Sequence, residues 1–248
     1  MTPEICRFAL VVTGRGEEKF LPRLFRGLMA RANCLFTVLR RIGQRSPITS
    51  PTRLLRMVGS GRRLPTKDEE DIGLPALRFL RKHPRGYVIV VDDLEGARRA
   101  IAAEVFARYR TALDEVLGPP GLQARAAVHF LVNMLEAYYF ADHGAVNVVA
   151  GRNVIAKDHP ADVEEIGHPK AALKRLWPEF DEIAHGDAIL GRLCTAHVLS
   201  RPRECCWLRA MFAWCVVKLV ESDAVHDPGL TAMFSLADGD RAPVPSRQ

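Results

Sequence analysis

The sequence predicts an α/β sandwich on a mainly parallel sheet, and three observations carry that expectation. Short apolar runs alternate with stretches of helical period, the clearest of those runs ends in acids, and the second half replaces strands with proline-separated helical segments. Phe8 to Val12 is an apolar run ended by glycine, and Leu21, Leu24, Phe25 and Leu28 then recur at helical spacing. Cys34 to Ile42 mixes β-branched and apolar residues as a second strand. It leads into an arginine-rich loop punctuated by Pro47, Pro51 and Pro65. Ile72, Leu74, Leu77 and Leu80 predict a helix from Lys67 to about Arg81, and Tyr87 to Asp93 is the clearest strand. Ala97 to Val116 reads as a helix stopped by Gly118, Pro119, Pro120 and Gly121, and Ala126 to Asn133 as another strand or the lead-in to a helix.

After Asp142 the pattern is helical, with Pro160, Pro169, Pro178 and Pro202 separating Lys170 to Leu176, Phe180 to His197, and Arg203 to Val220. Trp207, Met211, Trp214 and Lys218 share one face of the last helix, where the two tryptophans are expected in the core. The chain thus divides into an α/β core with a basic loop (1–142), a helical extension packed on it (143–222) and a flexible tail (223–248).

At 248 residues and 48% hydrophobic composition the chain can bury a sizeable interior. No run approaches the roughly 18 apolar residues of a membrane span, and the N-terminus lacks the apolar stretch of a secretory signal. A cytoplasmic protein without a membrane partner is expected. The six cysteines form no C-x-x-C pair, so buried reduced thiols are expected and zinc is not.

The net charge of +6 is unevenly spread. Lys19 to Lys67 holds twelve Lys or Arg and no acid, leaving 23 basic against 29 acidic residues elsewhere. Charge runs of this kind are commonly solvated faces whose arginines pair with acids elsewhere. The competing reading is a phosphate-contacting surface, with Arg40, Arg41, Arg53, Arg56, Arg62 and Arg63 as the contacts.

The segment from Val11 to Phe25 poses a chemical question. A glycine turn entering a helix usually cradles a phosphate, yet here Gly14 and Gly16 are followed by Glu17 and Glu18. The turn lacks the third glycine of a dinucleotide fingerprint and the G-K-[ST] ending of a P-loop, so no nucleotide cofactor is expected. A second acidic group, Asp92, Asp93 and Glu95, follows the strongest strand. Functional groups gather at the carboxyl ends of parallel strands, and several carboxylates there repel one another unless a cation intervenes. Hard oxygen donors select Mg²⁺ or Mn²⁺, which can bridge acids to a phosphodiester. The plainer alternative is that Glu17 and Glu18 stabilise a helix N-terminus and Asp93 starts a turn.

The order strand, T-G-R-G-E-E-K-F-L-P, then V-V-D-D-L-E-G resembles the TOPRIM domain, whose first strand precedes E-G-x-x-E and whose third precedes D-x-D. His129 to Asp142, Ile166 to Leu176 and the ECCWLRAMFAW segment further resemble an uncharacterised bacterial TOPRIM-like family of unknown function, related to the overcoming-lysogenization-defect nucleases. The resemblance covers roughly Phe8 to Lys218. It implies a metal site of Glu17, Asp93 and Glu95, Glu136 as a further acid, and Lys170 as a cation for charge on a phosphate oxygen. Thr13 stands at the first acidic position and Tyr138 at a tryptophan position. Glu136 and Lys170 also admit a structural reading as an ion pair tying the helical half to the sheet. The resemblance implies a Mg²⁺-dependent nuclease or phosphodiesterase acting on DNA or RNA, in phage defence or genome maintenance beside an ATPase partner. With Thr13 at an acidic position, the alternative is a non-catalytic nucleic-acid-binding or regulatory subunit.

Overall fold

The computed structural model describes residues 5–46, 52–57, 59–61, 63–201, 203–225 and 227–234. Four strands, β1 (Cys6–Val12), β2 (Cys34–Arg41), β3 (Gly86–Leu94) and β4 (Ala126–Val132), form one all-parallel sheet in the order β2-β1-β3-β4. The chain leaves β1 toward one edge to build β2, then returns to β1's other side to build β3 and β4. The carboxyl ends of β1 and β3 therefore flank a topological switch point, where open parallel sheets present their crevice.

Alternation along the strands feeds two cores. Phe8, Leu10, Val12, Ile89, Val91 and Leu131 face one side, and Ala9, Val11, Val88, Val90, Val128 and Phe130 face the other. The second side is covered by α3 (Leu74–Lys82) and α4 (Ala102–Leu117) through Ala76, Leu80, Val105, Tyr109 and Leu113. The first side meets α1 (Arg15–Leu24), the short α2 (Arg26–Met29) and the helical second half: α5 (Leu135–Tyr139), α6 (His143–Ala150), α7 (Pro169–Leu176), α8 (Glu182–Leu190), α9 (Thr195–Val198) and α10 (Cys206–Glu221). The helical extension shares one continuous core with the sheet, including stacked Phe8, Phe36, Phe25 and Phe212.

The expected α/β sandwich is what forms, and Ala126 to Asn133 resolves to a strand rather than a helix lead-in. The departures are local. The helix expected from Lys67 opens with a π-helical turn, Glu69–Gly73, upstream of Pro75, which has no N–H to donate to the carbonyl of Asp71. A 3₁₀ segment, Gly96–Ile101, precedes α4, and the expected Phe180–His197 helix breaks after Leu190 into α8 and α9. Asp181 starts α8 by accepting from the backbone N–H of Ile183 and Ala184 at 2.9 and 2.8 Å.

Trp207 packs edge-on against Phe130, and Trp214 against Tyr87, each half-buried. The chain after Asp223 is not frayed throughout, which corrects the expected tail. Asn33 donates its backbone N–H to Ala224 at 2.8 Å, Val225 bridges Ala32, and α11 (Leu230–Phe234) buries Phe234 against Phe212. Residues 235–248 of that tail lie outside the described residues. Cys6, Cys34, Cys205 and Cys215 are buried free thiols, whereas Cys194 is exposed and Cys206 half-buried. No helix among the described residues is long and apolar enough to cross a membrane.

Candidate functional site

Thr13 follows β1, and its side chain lies on the α3/α4 side of the sheet. There its hydroxyl donates to Asp92 Oδ1 at 2.9 Å and accepts the backbone N–H of Asp93 at 3.3 Å. Asp92 is fully buried and completely partnered. Tyr109 donates to Oδ2 at 2.9 Å, and Arg98 binds both carboxylate oxygens, Oδ1 at 3.2 Å. Asp92 is thus closed to a metal ion, because Thr13, Tyr109 and Arg98 take its oxygens.

Asp93, one residue on, points to the opposite side. Its Oδ1 accepts the backbone N–H of Met134 at 2.9 Å, and its carboxyl shares a hydrogen bond with that of Glu95. Burial first, then the neighbouring Glu95 carboxyl and the charge of Glu17, hold Asp93 far above the usual carboxylate range. Glu95 itself is exposed at the start of the 3₁₀ segment.

Glu17 arrives from α1, where its carboxylate folds back over Gly14. A Cβ at residue 14 would sit 1.7 Å from Glu17 Oε2, so the glycine is required by close approach. The plainer reading of Glu17 as a helix-terminus acid is geometrically right, but incomplete. Burial, then the charges of Asp92, Glu182 and Glu95, raise its pKa. Glu18 turns outward instead and pairs with Arg41 at 2.8 Å.

Glu136 reaches the cluster from α5 through a strained turn. Asn133 has φ 58°, and Met134 has φ 73°, ψ 164°, a region occupied almost only by glycine. Burial, then the charges of Glu182 and Glu17, push Glu136 up to about 7 against the opposing effect of Lys170. Lys170, from α7, is hydrogen-bonded to Glu182. Burial alone would lower its pKa, but Glu182 and Glu136 together carry it above the usual range.

The five predicted site residues are linked pairwise by charge, Asp93 with Glu95 and Glu17, Glu17 with Glu95 and Glu136, and Glu136 with Lys170. Glu182 is the member that sequence reasoning missed. It belongs to the site because α8 packs on α1, with Gly186 against the Phe20 ring. Five carboxyl groups are then set against Lys170, with Arg98 also reaching Asp93 through its carbonyl at 2.7 Å. Among the described residues, no group of three or more His, Cys, Asp and Glu side chains is drawn tightly enough together to enclose a metal ion as it stands.

Glu164, also missed, is a structural hub. Its buried carboxylate accepts from Tyr138 at 2.9 Å and from the backbone N–H groups of Trp207 and Leu208 at 3.2 and 3.1 Å, starting α10. That hydroxyl contact explains a tyrosine at position 138, and burial pushes Glu164 up to about 7.

Of the six arginines predicted to contact nucleic acid, Arg40 pairs with Asp71 at 2.8 Å, Arg41 with Glu18, and Arg63 with Glu69 at 2.6 Å and Glu115 at 3.2 Å. Their charges are met inside the fold, as the solvated-face reading held, although each remains about two-fifths exposed. Arg53 and Arg56 are exposed and have no ion-pair partner among the described residues, and Arg62 lies outside those residues. The root of the basic segment docks on the acidic edge. Gln44 donates to the Asp93 carbonyl at 3.1 Å, and Arg98 donates to the carbonyls of Asp93 and Arg45 at 2.7 and 3.1 Å.

The fold and site define an α/β sandwich protein with a carboxyl-rich cluster beside its switch point. Compared with protein families, with curated proteins and with solved structures, the chain matches none.

Proposed function

We propose that this protein is a Mg²⁺- or Mn²⁺-dependent phosphodiesterase of TOPRIM type that cleaves nucleic acid. The observation that carries the reading is the excess of acid: neighbouring carboxylates, Glu95 and Glu182 among them, raise the proton affinity of Glu17, Asp93 and Glu136, Lys170 pairs with Glu182, and the root of the basic segment docks on Asp93. The donor set suits a hard cation, because the site offers only carboxylate oxygens and the Gly14 cradle leaves the Glu17 carboxylate room against the backbone. Glu17, Asp93 and Glu95 would hold the ion, with Glu136 as a further ligand. A bound ion supplies Lewis-acid polarisation of a phosphodiester oxygen.

The chain's own residues do the rest. Met134 N–H fixes the Asp93 carboxylate, Lys170 offsets negative charge developing on a phosphate oxygen, and Arg53 and Arg56 bind flanking phosphates. Phage defence beside an ATPase partner belongs to the same proposal and rests on the TOPRIM resemblance alone. Incubation with plasmid, single-stranded DNA and transfer RNA tests the reading. Cleavage should require Mg²⁺ or Mn²⁺, stop with EDTA, and vanish in a Glu17→Ala, Asp93→Ala double variant. Equal behaviour of wild type and variant on every substrate would end the nuclease reading.

One observation favours the second reading, a non-catalytic binding subunit. Thr13 occupies the first acidic position and is engaged with Asp92 and Asp93, so that position contributes no carboxylate. Nucleic-acid binding by wild type and double variant alike, with cleavage by neither, would select it.

A further inference from the structure

The basic segment carries an arm whose chemistry differs from a plain phosphate-binding stripe. Leu64 donates its backbone N–H to the Leu55 carbonyl at 2.9 Å, Arg56 and Arg63 pair antiparallel, and Gly59 turns the chain at φ 81°. Leu54, Leu55 and Met57 are 70%, 62% and 48% exposed, an unusual concentration of large apolar side chains on one short element. Beneath the arm lies a cavity of about 650 Å³, walled by Leu54, Arg63, Thr66, Arg108, Thr111 and Glu115 among others. That volume lies within the range of small-ligand sites.

The charges divide into two sets. In the wall, Arg63 is neutralised by Glu69 and Glu115, and Arg108 by Asp68 at 2.7 Å. A free anion entering there would have to break those pairs, whereas a neutral group with donors and acceptors on its rim and apolar faces would not. Arg53 and Arg56 lie outside the wall, exposed and without an acid among the described residues. A neutral planar group joined to a nearby anion is the description of one nucleotide. The base must be turned out of any helix, because a paired and stacked base presents neither its faces nor its pairing edge.

We propose that the arm and cavity receive an unpaired nucleobase, with Arg53 and Arg56 on the adjoining phosphates, so that the protein selects single-stranded or unpaired segments over intact duplex. The inference rests on nucleic acid being the partner, as in the proposed function, and specifies which form of it is taken. An apolar and basic arm would also suit an anionic lipid surface. The neutralised cavity wall favours the base.

The test uses the full chain in EDTA, with a labelled mixed-sequence single strand, the same strand in duplex, and vesicles of phosphatidylcholine with phosphatidylserine. The single strand should bind at least about tenfold more tightly than the duplex. Thr111 is exposed on α4, so Thr111→Trp should fill the cavity without unfolding the chain and abolish the preference; a melting curve checks the fold. Leu54→Asp, on the arm itself, should do the same if the tryptophan variant melts early. Replacing Arg53 and Arg56 with serine should keep the preference but lower the salt slope by about 1.4, at about 0.7 per phosphate of a single strand. Equal affinity for both forms, a preference that survives both cavity variants, or vesicle binding without oligonucleotide binding would overturn the proposal. Without divalent ion the outcome is independent of cleavage. A chain that cleaves without strand preference loses only this inference, and one that prefers single strands but never cleaves loses only the nuclease reading.

Discussion

Asp92 and Asp93 are neighbours on one strand with opposite surroundings. Asp92 faces the α3/α4 side and meets Thr13, Tyr109 and Arg98, so its charge is answered by donors and a cation. Asp93 faces the helical half and meets Glu95 and Glu17, so burial and like charge raise its pKa. The pleat alone sends one carboxylate into a structural network and the other into an unbalanced cluster. The lesson concerns function: the buried acid paired with a cation holds the fold, and the buried acid set among other acids is where a cation or substrate has something to gain.

Removing the two should therefore have opposite effects. Asp92→Ala strands Arg98 and the Tyr109 hydroxyl and should cost about 3–5 kcal/mol, the usual effect of breaking a buried pair. Urea unfolding measures it. A loss below about 1 kcal/mol would show that Asp92 is not the structural member of the pair.

Thr13→Glu sharpens the comparison from the other strand. Thr13 faces Asp92, so the new carboxylate would lose a donor and place a like charge there. A loss of about 3 kcal/mol is expected in EDTA. Tighter metal binding by the same variant would show that the position still opens onto the site.

Proton linkage separates the cluster from the rest of the molecule. The folded pKa of Glu136, about 7, lies above its ordinary 4.5, so the stabilisation from its protonated form is complete below about 4.5 and is lost as the pH rises through 7. Stability in EDTA should fall across that window, and Glu164 contributes to the same slope. Asp158, held down to about 2 by the His143 backbone N–H and by the side chains of His143 and His197, acts in the opposite sense and only at much lower pH. Glu136→Gln should remove a fall on the order of 3 kcal/mol across that window, since one pKa unit corresponds to about 1.4 kcal/mol. An unchanged slope would place Glu136 outside the cluster.

The smallest expected effect is at Met134. Its backbone conformation costs a non-glycine residue about 1–3 kcal/mol, so Met134→Gly should leave stability within about 1 kcal/mol of wild type despite the loss of a half-buried side chain. A larger loss would mean that side-chain packing outweighs the strain.

The sequence made this contrast partly legible. Tyr87 to Asp93 reads as a strand because β-branched residues run into acids, and the rule that chemistry gathers at strand ends points to Glu17, Asp93 and Glu95. The periodicity of Lys170 to Leu176 likewise places Lys170 on a helix. What sequence could not supply was pairing across the fold. Arg40 meets Asp71, 31 residues on, and Arg63 meets Glu115, 52 residues on, so an acid-free segment looked more exposed than it is. Glu182 joins the site, and Glu164 the start of α10, only because helices distant in sequence pack together. The anchored segment after Asp223 was illegible for the same reason, since Phe234 finds its core partner in Phe212 and not in any local period.

The central claim is that the Asp93 side of the sheet is a cation site and the Asp92 side is not. Thermal unfolding tests it most directly, comparing wild type and Asp93→Asn in EDTA and in millimolar Mg²⁺ or Mn²⁺ at matched ionic strength. Binding to the folded state alone should raise the wild-type Tm with metal. Asp93→Asn should melt higher than wild type in EDTA, because a neutral amide needs no proton to be buried whereas the Asp93 carboxyl must take one up on folding, and should gain nothing from metal. A wild type indifferent to metal, or a variant that melts lower in EDTA, would contradict the account.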